Sequence, residues 1–323
     1  MSSIAPEGST GVAAPFAAAA AVPAVPRIKG LWREIKANRM SYLFLAPFLI
    51  LFFTFTVLPV ILSIVLSFTY FNMLNFPRWV GWENYLRLFL KDEVFLIAVK
   101  NTLFFALVTG PVSYILCFLF AWLINELKPW IRAILTLLFY APSISGTAAV
   151  VWIFIFSGDS YGYLNAILLY LGVITQPIQW LVDTTWMWPV VIVVSLWMSL
   201  GVSFLVFIAG LQGIDDYYFE AAALDGVKNR WQELWFVTLP MMKNYLMFGA
   251  IMSITGSFMA ASNIQMLTGP TPTDWHTWTI MQHLNDYGSV RFEMGYACAI
   301  AVVLFFGMLA AQRGVQSLLR KLG

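Results

Sequence analysis

The chain has 323 residues, of which 60% are hydrophobic and only 11% are charged, and its mean hydropathy is +0.79. Soluble domains carry about 25% charged residues, so this composition excludes an ordinary soluble enzyme, a nucleic-acid-binding protein and a disordered protein. The net charge of +2 is too small to indicate a polyanionic partner, and we interpret the sequence as a membrane protein.

The N-terminal segment differs from the rest of the chain. Residues 1–26 consist mainly of Ala, Pro, Gly and Ser and lack the basic region of a signal peptide, so we predict a disordered cytoplasmic arm. Residues 27–41 alternate basic and apolar side chains around Trp32, a pattern typical of a basic helix lying in the membrane interface. The alternative for this second segment is a simple basic anchor on the cytoplasmic side.

Six long runs without Asp, Glu, Lys or Arg follow, and each reaches about the 20 residues that a helix needs to cross the hydrocarbon core. Continuous runs of this length indicate helices rather than barrel strands, because a helix satisfies its own backbone hydrogen bonds in lipid. The predicted spans are 42–68, 102–124, 133–156, 186–211, 245–267 and 294–312. The sequence therefore predicts an all-α membrane protein.

Basic residues predict which side of the membrane each connection faces. The N-terminal flank, the second and fourth connections and the C-terminal tail together hold 13 Lys and Arg residues, against 5 in the other three connections. Cytoplasmic segments carry the excess of basic residues in membrane proteins. We therefore predict that both termini, including a short tail at 317–323, are cytoplasmic.

The sequence offers little for catalysis or ion coupling. None of the six runs contains an ionisable acid or base, which disfavours an ion-coupled transporter, although carbonyl and hydroxyl groups could still bind sodium. The chain has no GxxxxGK[ST] phosphate-binding loop. We interpret its only histidines, His276 and His283, as ordinary loop residues, and Cys117 and Cys298 as buried apolar residues. We therefore expect no catalytic residue, no metal site and no cofactor in this chain.

The connection at 212–244 is the most informative segment. A short helix is predicted around 217–224, capped by Asp215 and Asp216 and ended by Asp225-Gly226. A second is predicted around 229–237, ahead of Leu239-Pro240, with an apolar face. Small side chains at 221–223 would let another protein approach the first helix closely. A helix–turn–helix of this kind on the inner surface is suited to docking into a groove of a partner protein.

This connection carries a family resemblance. The sequence EAAALDG at 220–226, followed by Leu-Pro at 239–240, resembles the EAA loop of ABC-importer permeases. Further similarity to the carbohydrate-uptake branch, the relatives of the maltose and glycerol-phosphate permeases, lies in FLAPFLILFFTFTVLPVILSIVLSF at 44–68, GWENYLRLF at 81–89, NTLFF at 101–105 and the GLQGI before the loop. The resemblance covers about residues 40–316. The chain departs from the family pattern at Asp215 and Asn244, where Pro is common, and at Val227, where Ala is common.

The resemblance implies a type I ABC importer permease of six transmembrane helices over 42–316, with cytoplasmic coupling helices in the EAA loop. It implies a subunit that moves sugars or oligosaccharides across a bacterial cytoplasmic (inner) membrane. The implied partners are a second homologous permease, two ATP-binding-cassette ATPase subunits and a periplasmic or lipid-anchored solute-binding protein. ATP and Mg would be bound by the ATPase subunits and not by this chain.

The resemblance also assigns roles within the loop. The EAA helix of the family sits in a cleft of the ATPase subunit, so Glu220 would pair with a basic residue there and Gly226 would permit the turn. The alternative for Glu220 is a solvated helix charge. The residues that the resemblance assigns to ATPase coupling are Glu220, Ala221, Ala222, Asp225, Gly226, Leu239 and Pro240.

A substrate path is predicted from small hydroxyl residues. Ser195, Ser199 and Ser203 recur every four residues in the fourth span, beside Trp197, and Ser253 and Ser257 recur likewise in the fifth, followed by Ser262, Asn263 and Gln265. Hydroxyls and a stacking aromatic suit a neutral sugar, whereas small residues at this spacing are also typical of helix packing in membranes.

The sequence leaves the substrate and the mode of transport open. Malto- or galacto-oligosaccharides are the default candidates, and uronate oligosaccharides such as alginate are an alternative because Arg78, Arg87 and Arg291 could face an acidic substrate outside. A self-sufficient secondary carrier or channel for small solutes is the competing function. A membrane-embedded enzyme lacks a recognisable nucleophile or metal set.

Overall fold

The computed structural model describes Lys36 and residues 38–322. The predicted arm at 1–26 and most of the predicted interfacial helix at 27–41 lie outside the described residues. Within the described part, the secondary structure is helical apart from one antiparallel ribbon, in which β1 (Thr69–Tyr70) pairs with β2 (Arg78–Trp79). Contacts within the chain divide it into two units, Met1–Pro59 and Val60–Gly323.

The first described helix is long and apolar. Helix α1 (Arg39–Phe52) continues through a π-helical turn at Phe53–Val57 into α2 (Leu58–Leu66). Arg39–Leu66 is thus 28 residues long, enough to cross a membrane, and no residue of α1 is buried.

The remaining helices follow in chain order. They are α3 (Glu83–Leu90), α4 (Glu93–Asn125), α5 (Pro129–Ile144), α6 (Val150–Ile155), α7 (Tyr163–Tyr170), α8 (Thr184–Met198), α9 (Val202–Gln212), α10 (Asp216–Leu224), α11 (Arg230–Glu233), α12 (Leu239–Met241), α13 (Lys243–Phe258), α14 (Ala261–Thr268), α15 (Ile280–Asn285) and α16 (Met294–Leu322). Short π turns at Leu234–Thr238 and Asp286–Val290 and a 3-10 turn at Thr273–Trp275 complete the helical structure of the described residues.

Helix α4 begins earlier than the predicted span of 102–124. The Asp92 side chain accepts a hydrogen bond from the backbone N–H of Phe95 (2.9 Å) and so caps the helix from Glu93 onward. The sequence criterion of an uncharged run missed this first part of the helix because it contains Glu93 and Lys100. Helix α4 is 33 residues long and extends beyond the apolar core of the span.

Two of the predicted spans are bent. The run predicted at 186–211 consists of α8 and α9, which differ in direction by 41°, and the run at 245–267 consists of α13 and α14, which differ by 40°. The first bend lies at Gly201, whose backbone is not helical (φ −112°, ψ −130°). The second lies at Met259 and Ala260, where the Ala261 N–H bonds back to the Met259 carbonyl (2.9 Å). A hydropathy run reports apolar composition and does not register such local breaks.

The run predicted at 133–156 is also divided. Helix α5 begins at Pro129, whose missing N–H is harmless in the first turn, and ends before Ser145, which has an extended ψ of 102°. Helix α6 resumes at Val150. By length and composition, three described helices can cross a membrane (Arg39–Leu66, Glu93–Asn125 and Met294–Leu318), or five if each bent pair counts as one span.

Helix α4 lies at the centre of the second unit. Three buried apolar clusters follow its length, around Phe95 near its beginning, around Phe105, and around Cys117 and Phe118. It packs against α9 and α13 along its membrane portion. Helices α9 and α13 in turn approach closely at Gly249, where a Cβ atom would clash with the Phe207 ring. Helix α4 therefore contributes to all three of these clusters.

Candidate coupling loop and membrane cavity

The loop at 212–244 contains two short helices. Asp215 caps α10, its carboxylate accepting from the Tyr217 N–H (3.0 Å). At the other end, Gly226 has φ +96°, a conformation that glycine adopts without strain, and the following N–H of Val227 bonds to the Ala222 carbonyl (3.0 Å). The Asn229 side chain then caps α11 by accepting from the Gln232 N–H (2.9 Å). The capping groups and the glycine turn thus determine where α10 begins and ends and where α11 begins.

The predicted coupling residues are accessible. Glu220 is exposed and makes no hydrogen bond or ion pair with the described residues, and Ala221 and Ala222 beside it are half-buried. Asp225, Gly226 and Pro240 are exposed, and Leu239 is half-buried. Large apolar side chains stand out from the same loop, and they are Tyr217, Leu224, Trp231, Trp235 and Phe236. An exposed apolar surface around an unpaired carboxylate has the composition of a protein-binding surface.

The loop contacts the C-terminal end of α4 through an ion pair and a pair of aromatic rings. The Arg230 guanidinium lies 3.5 Å from the Glu126 carboxylate and 2.9 Å from that of Glu233. Beside this pair, the rings of Trp122 and Trp231 are 5.5 Å apart. The loop therefore contacts the end of the helix that runs through the centre of the second unit. The sequence analysis did not predict this connection, because Glu126 and Arg230 are far apart in the chain.

A cavity of about 450 Å³ lies between α4, α8, α9, α13 and α14. It brings together all five serines of the predicted substrate path, which are Ser195, Ser199, Ser203, Ser253 and Ser257. Ser262 and Asn263 also line it, whereas Gln265 does not, and Thr109 and Ser113, which were not among the predicted path residues, add to its polar lining. Trp197 does not line it, because its indole packs against Trp152 with ring centroids 5.4 Å apart.

The hydroxyl groups of this cavity are held by backbone carbonyls and by one another. Thr109 donates to the Phe105 carbonyl (2.7 Å) and lies 3.2 Å from the Ser257 hydroxyl, while Ser203 and Ser253 lie 3.5 Å apart. The Ser195 hydroxyl is buried and has no partner among the described residues. Hydroxyl oxygens keep acceptor capacity when they donate, so the cavity can exchange hydrogen bonds with a polar solute. The close pair Ser203 and Ser253 lies between α9 and α13, as expected of small residues at a helix-packing surface in a membrane.

A buried polar cluster lies at the beginning of α4. The Trp278 indole N–H donates to Nδ1 of His283 (3.1 Å), so Nδ1 is an acceptor and Nε2 carries the proton that it donates to Asp92 (3.0 Å). The Tyr296 hydroxyl donates to the same Asp92 oxygen (2.7 Å). Burial by itself raises the pKa of Asp92, but the hydrogen bonds from His283, Tyr296 and Phe95 lower this pKa well below its usual range. His283, predicted as an ordinary loop residue, is thus a buried structural residue that ties α15 to α4 and α16.

Two arginines near this cluster are paired with carboxylates. Arg87 lies 2.6 Å from Glu293 and stacks over the Tyr296 ring, while Arg291 lies 2.7 Å from Asp286 and stacks over the Tyr287 ring. Burial lowers the pKa of Arg87, but its hydrogen bond and ion pair with Glu293 outweigh this and raise the pKa above its ordinary value.

Comparison with known proteins identifies the family. Residues 97–322 match the family described as "Binding-protein-dependent transport system inner membrane component". The chain belongs to this family. It is 34% identical over 277 residues to the "Probable ABC transporter permease protein YesP" of Bacillus subtilis (strain 168), which covers 83% of this chain and 86% of that protein. It is 32% identical over 233 residues to the "Lactose transport system permease protein LacF" of Rhizobium radiobacter, covering 72% of this chain and 76% of that protein.

Solved structures agree on the fold. A chain of "a bacterial ABC transporter involved in the import of the acidic polysaccharide alginate" has a TM-score of 0.74 at 24% identity and covers 90% of this chain and 99% of that chain. The predicted fold class, a type I ABC importer permease, and the predicted carbohydrate-uptake branch are therefore confirmed. The chain is a multi-pass membrane permease of a binding-protein-dependent importer.

Proposed function

We propose that this chain is the non-catalytic permease subunit of an ATP-driven importer that carries sugars or oligosaccharides from a binding protein into the cytoplasm. The observation that carries the proposal is the coupling loop, in which an exposed, unpaired Glu220 lies among apolar side chains on a helix with a glycine turn. Relatives named for lactose and arabino-oligosaccharide transport support a saccharide as the cargo.

We place the partners as follows. A second homologous permease would complete the membrane path, and two ATPase subunits would bind ATP and Mg and receive the coupling loops of the two permeases. The chain would lie in a bacterial inner membrane, with its termini in the cytoplasm. A binding protein would dock on its outer surface. One relative by structure, with a TM-score of 0.70 at 25% identity, is a "bacterial alginate ABC transporter in complex with alginate pentasaccharide-bound periplasmic protein", which supports the docking of a binding protein.

The geometry of α4 supports a route for the coupling. This helix begins at the polar cluster around Asp92, lines the cavity at Thr109 and Ser113, and ends beside the loop at Glu126. ATP binding would close the ATPase pair, draw the coupling loops together and shift the permease between inward-facing and outward-facing states. Each ligand shifts that equilibrium only by its difference in affinity for the two states.

The proposal is tested by purifying the tagged chain from its native membrane in mild detergent and identifying the proteins that accompany it. We expect a second permease and an ATPase with a phosphate-binding loop, and saccharide uptake into liposomes that requires ATP. Co-purification should be kept in the matched surface variant Asp159→Lys, which lies outside the coupling loop. A chain that purifies alone and transports solute alone would instead establish a secondary carrier or channel.

A further inference from the structure

The connection between α6 and α8 carries a long run without charged residues. Residues 160–182 contain no Asp, Glu, Lys, Arg or His, whereas the two connections predicted on the same side, at 70–97 and 268–293, contain both acidic and basic residues. Helix α7 within this run is 8 residues long, far short of the roughly 20 residues that cross the hydrocarbon core. A transmembrane span therefore does not explain the apolar composition of this connection.

One face of α7 is held by the rest of the protein. Asn165 is fully buried, and its amide N–H donates to the Ile178 carbonyl (3.0 Å) while its side-chain oxygen accepts from the Trp180 indole N–H (2.8 Å). Leu164 and Leu168 pack against the buried apolar cluster that contains Trp180. These contacts fix the orientation of α7, so its opposite face is turned away from the protein.

The opposite face of α7 is exposed and apolar. Tyr163, Ile167 and Tyr170 follow at spacings of four and three residues and so lie on one side of the helix, and Leu171 comes directly after its end. Each of these four side chains is more than half exposed. The two tyrosine hydroxyls have no hydrogen-bond partner among the described residues. A contiguous exposed patch of this composition indicates a contact with a membrane or with another protein.

Composition and position both favour the membrane as the occupant of this patch. Interfaces between separate proteins have a polar rim, whereas the run around this patch has no charged residue. Tyrosine is enriched where a membrane meets water, because its ring is apolar and its hydroxyl is polar. The connection leads directly into α8 and α9, a bent pair that can cross the membrane and that ends at the coupling loop. The patch therefore lies close to the membrane surface, at the end of this pair that is opposite the coupling loop.

We infer that α7 lies in the membrane interface on the side opposite the coupling loop, with Tyr163, Ile167, Tyr170 and Leu171 in contact with lipid. An interfacial helix usually presents a polar face to water. In α7 that face is covered by the protein through Asn165 and the leucines beside it, so the helix needs no charged residues of its own. The lipid contact goes beyond the proposed import function and does not depend on which solute is carried.

The test uses the unmodified full-length chain in lipid nanodiscs that hold one chain each, without partner proteins, so that only lipid covers α7. Hydroxyl radicals generated in the water modify accessible tyrosines, and mass spectrometry measures the rate of modification at each position. Tyr217 of the coupling loop is the matched control, because Tyr163 and Tyr217 are both 68% exposed in the chain itself. We expect modification of Tyr163 and Tyr170 to be at least about fivefold slower than that of Tyr217, because side chains in the membrane interface are shielded from water.

A second measurement reports the depth of α7. A fluorophore is attached at Ile167→Cys, or at Asp159→Cys in the exposed segment before the uncharged run, in a chain that also carries Cys117→Ala and Cys298→Ala. Lipids with a nitroxide near the headgroup should quench the fluorophore at position 167 much more strongly than at position 159. Equal quenching at the two positions, or modification of Tyr163 as fast as that of Tyr217, would overturn the inference. Protection that arises only after a second permease or a binding protein is added would also overturn it and would assign the patch to that protein.

Discussion

Charge reversal at Glu220 separates coupling from folding. Glu220 is exposed and has no partner among the described residues, so its replacement removes no contact within this part of the chain. We therefore expect Glu220→Lys and Glu220→Gln to change the free energy of unfolding by less than about 0.5 kcal/mol. Under the proposed function, a larger effect on transport would arise in the contact with the ATPase subunit.

The size of that effect follows from the chemistry of the pair. Loss of one charge-assisted hydrogen bond in Glu220→Gln costs about 2 kcal/mol, which corresponds to roughly a 30-fold weaker association with the ATPase. Glu220→Lys adds repulsion from the basic partner, which costs several kcal/mol, so association should fall by more than about 1,000-fold.

The assay measures three quantities for each variant, namely the unfolding midpoint in detergent, the amount of ATPase that co-purifies, and ATP-dependent uptake in liposomes. Asp159→Lys, a charge reversal in an exposed segment outside the coupling loop, serves as the control for the unfolding midpoint and for co-purification of the ATPase. Normal uptake by Glu220→Lys in a complete transporter would refute the coupling role. A lowered unfolding midpoint would show that the charge acts within this chain instead.

Three further predictions concern packing, pH and the cavity. Gly249→Ala should destabilise the protein by about 1–3 kcal/mol in detergent unfolding, because a Cβ atom would clash with Phe207, whereas Gly256→Ala has open space and should not. Because the pKa of Asp92 is lowered in the folded state, its contribution to stability is complete above its unfolded pKa of about 4 and is lost as the pH falls towards the folded pKa. Asp92→Asn should therefore lower the melting temperature at about pH 7. It should also reduce the further fall of the melting temperature that the unaltered protein shows below about pH 4. Asn263→Ala should slow uptake of a sugar by about 3- to 10-fold, the loss of one hydrogen bond, without changing the melting temperature; unchanged uptake would remove this amide from the path.

Local patterns were enough to predict the fold class, the family and the helices of the coupling loop. Apolar runs of about 20 residues require helices because lipid offers backbone groups no other partner. The coupling loop is likewise encoded by adjacent residues, since Asp215 caps α10 and Gly226 permits the turn that follows it. Serines spaced by one helical turn correctly indicated which side chains share a face, and all five line one cavity.

Only the tertiary structure decided how distant segments meet. In the structure, Trp197 packs against Trp152 and does not line the cavity, and His283 lies in a buried network with Asp92. The loop contacts α4 through Glu126. These outcomes depend on contacts between residues far apart in the chain, and neither hydropathy nor spacing records which of them will meet. The sequence therefore determined that the chain is a membrane permease with a helix–turn–helix in the connection at 212–244. The packing of helices around α4 decided which groups face the cavity, because that packing sets where each side chain can find a partner.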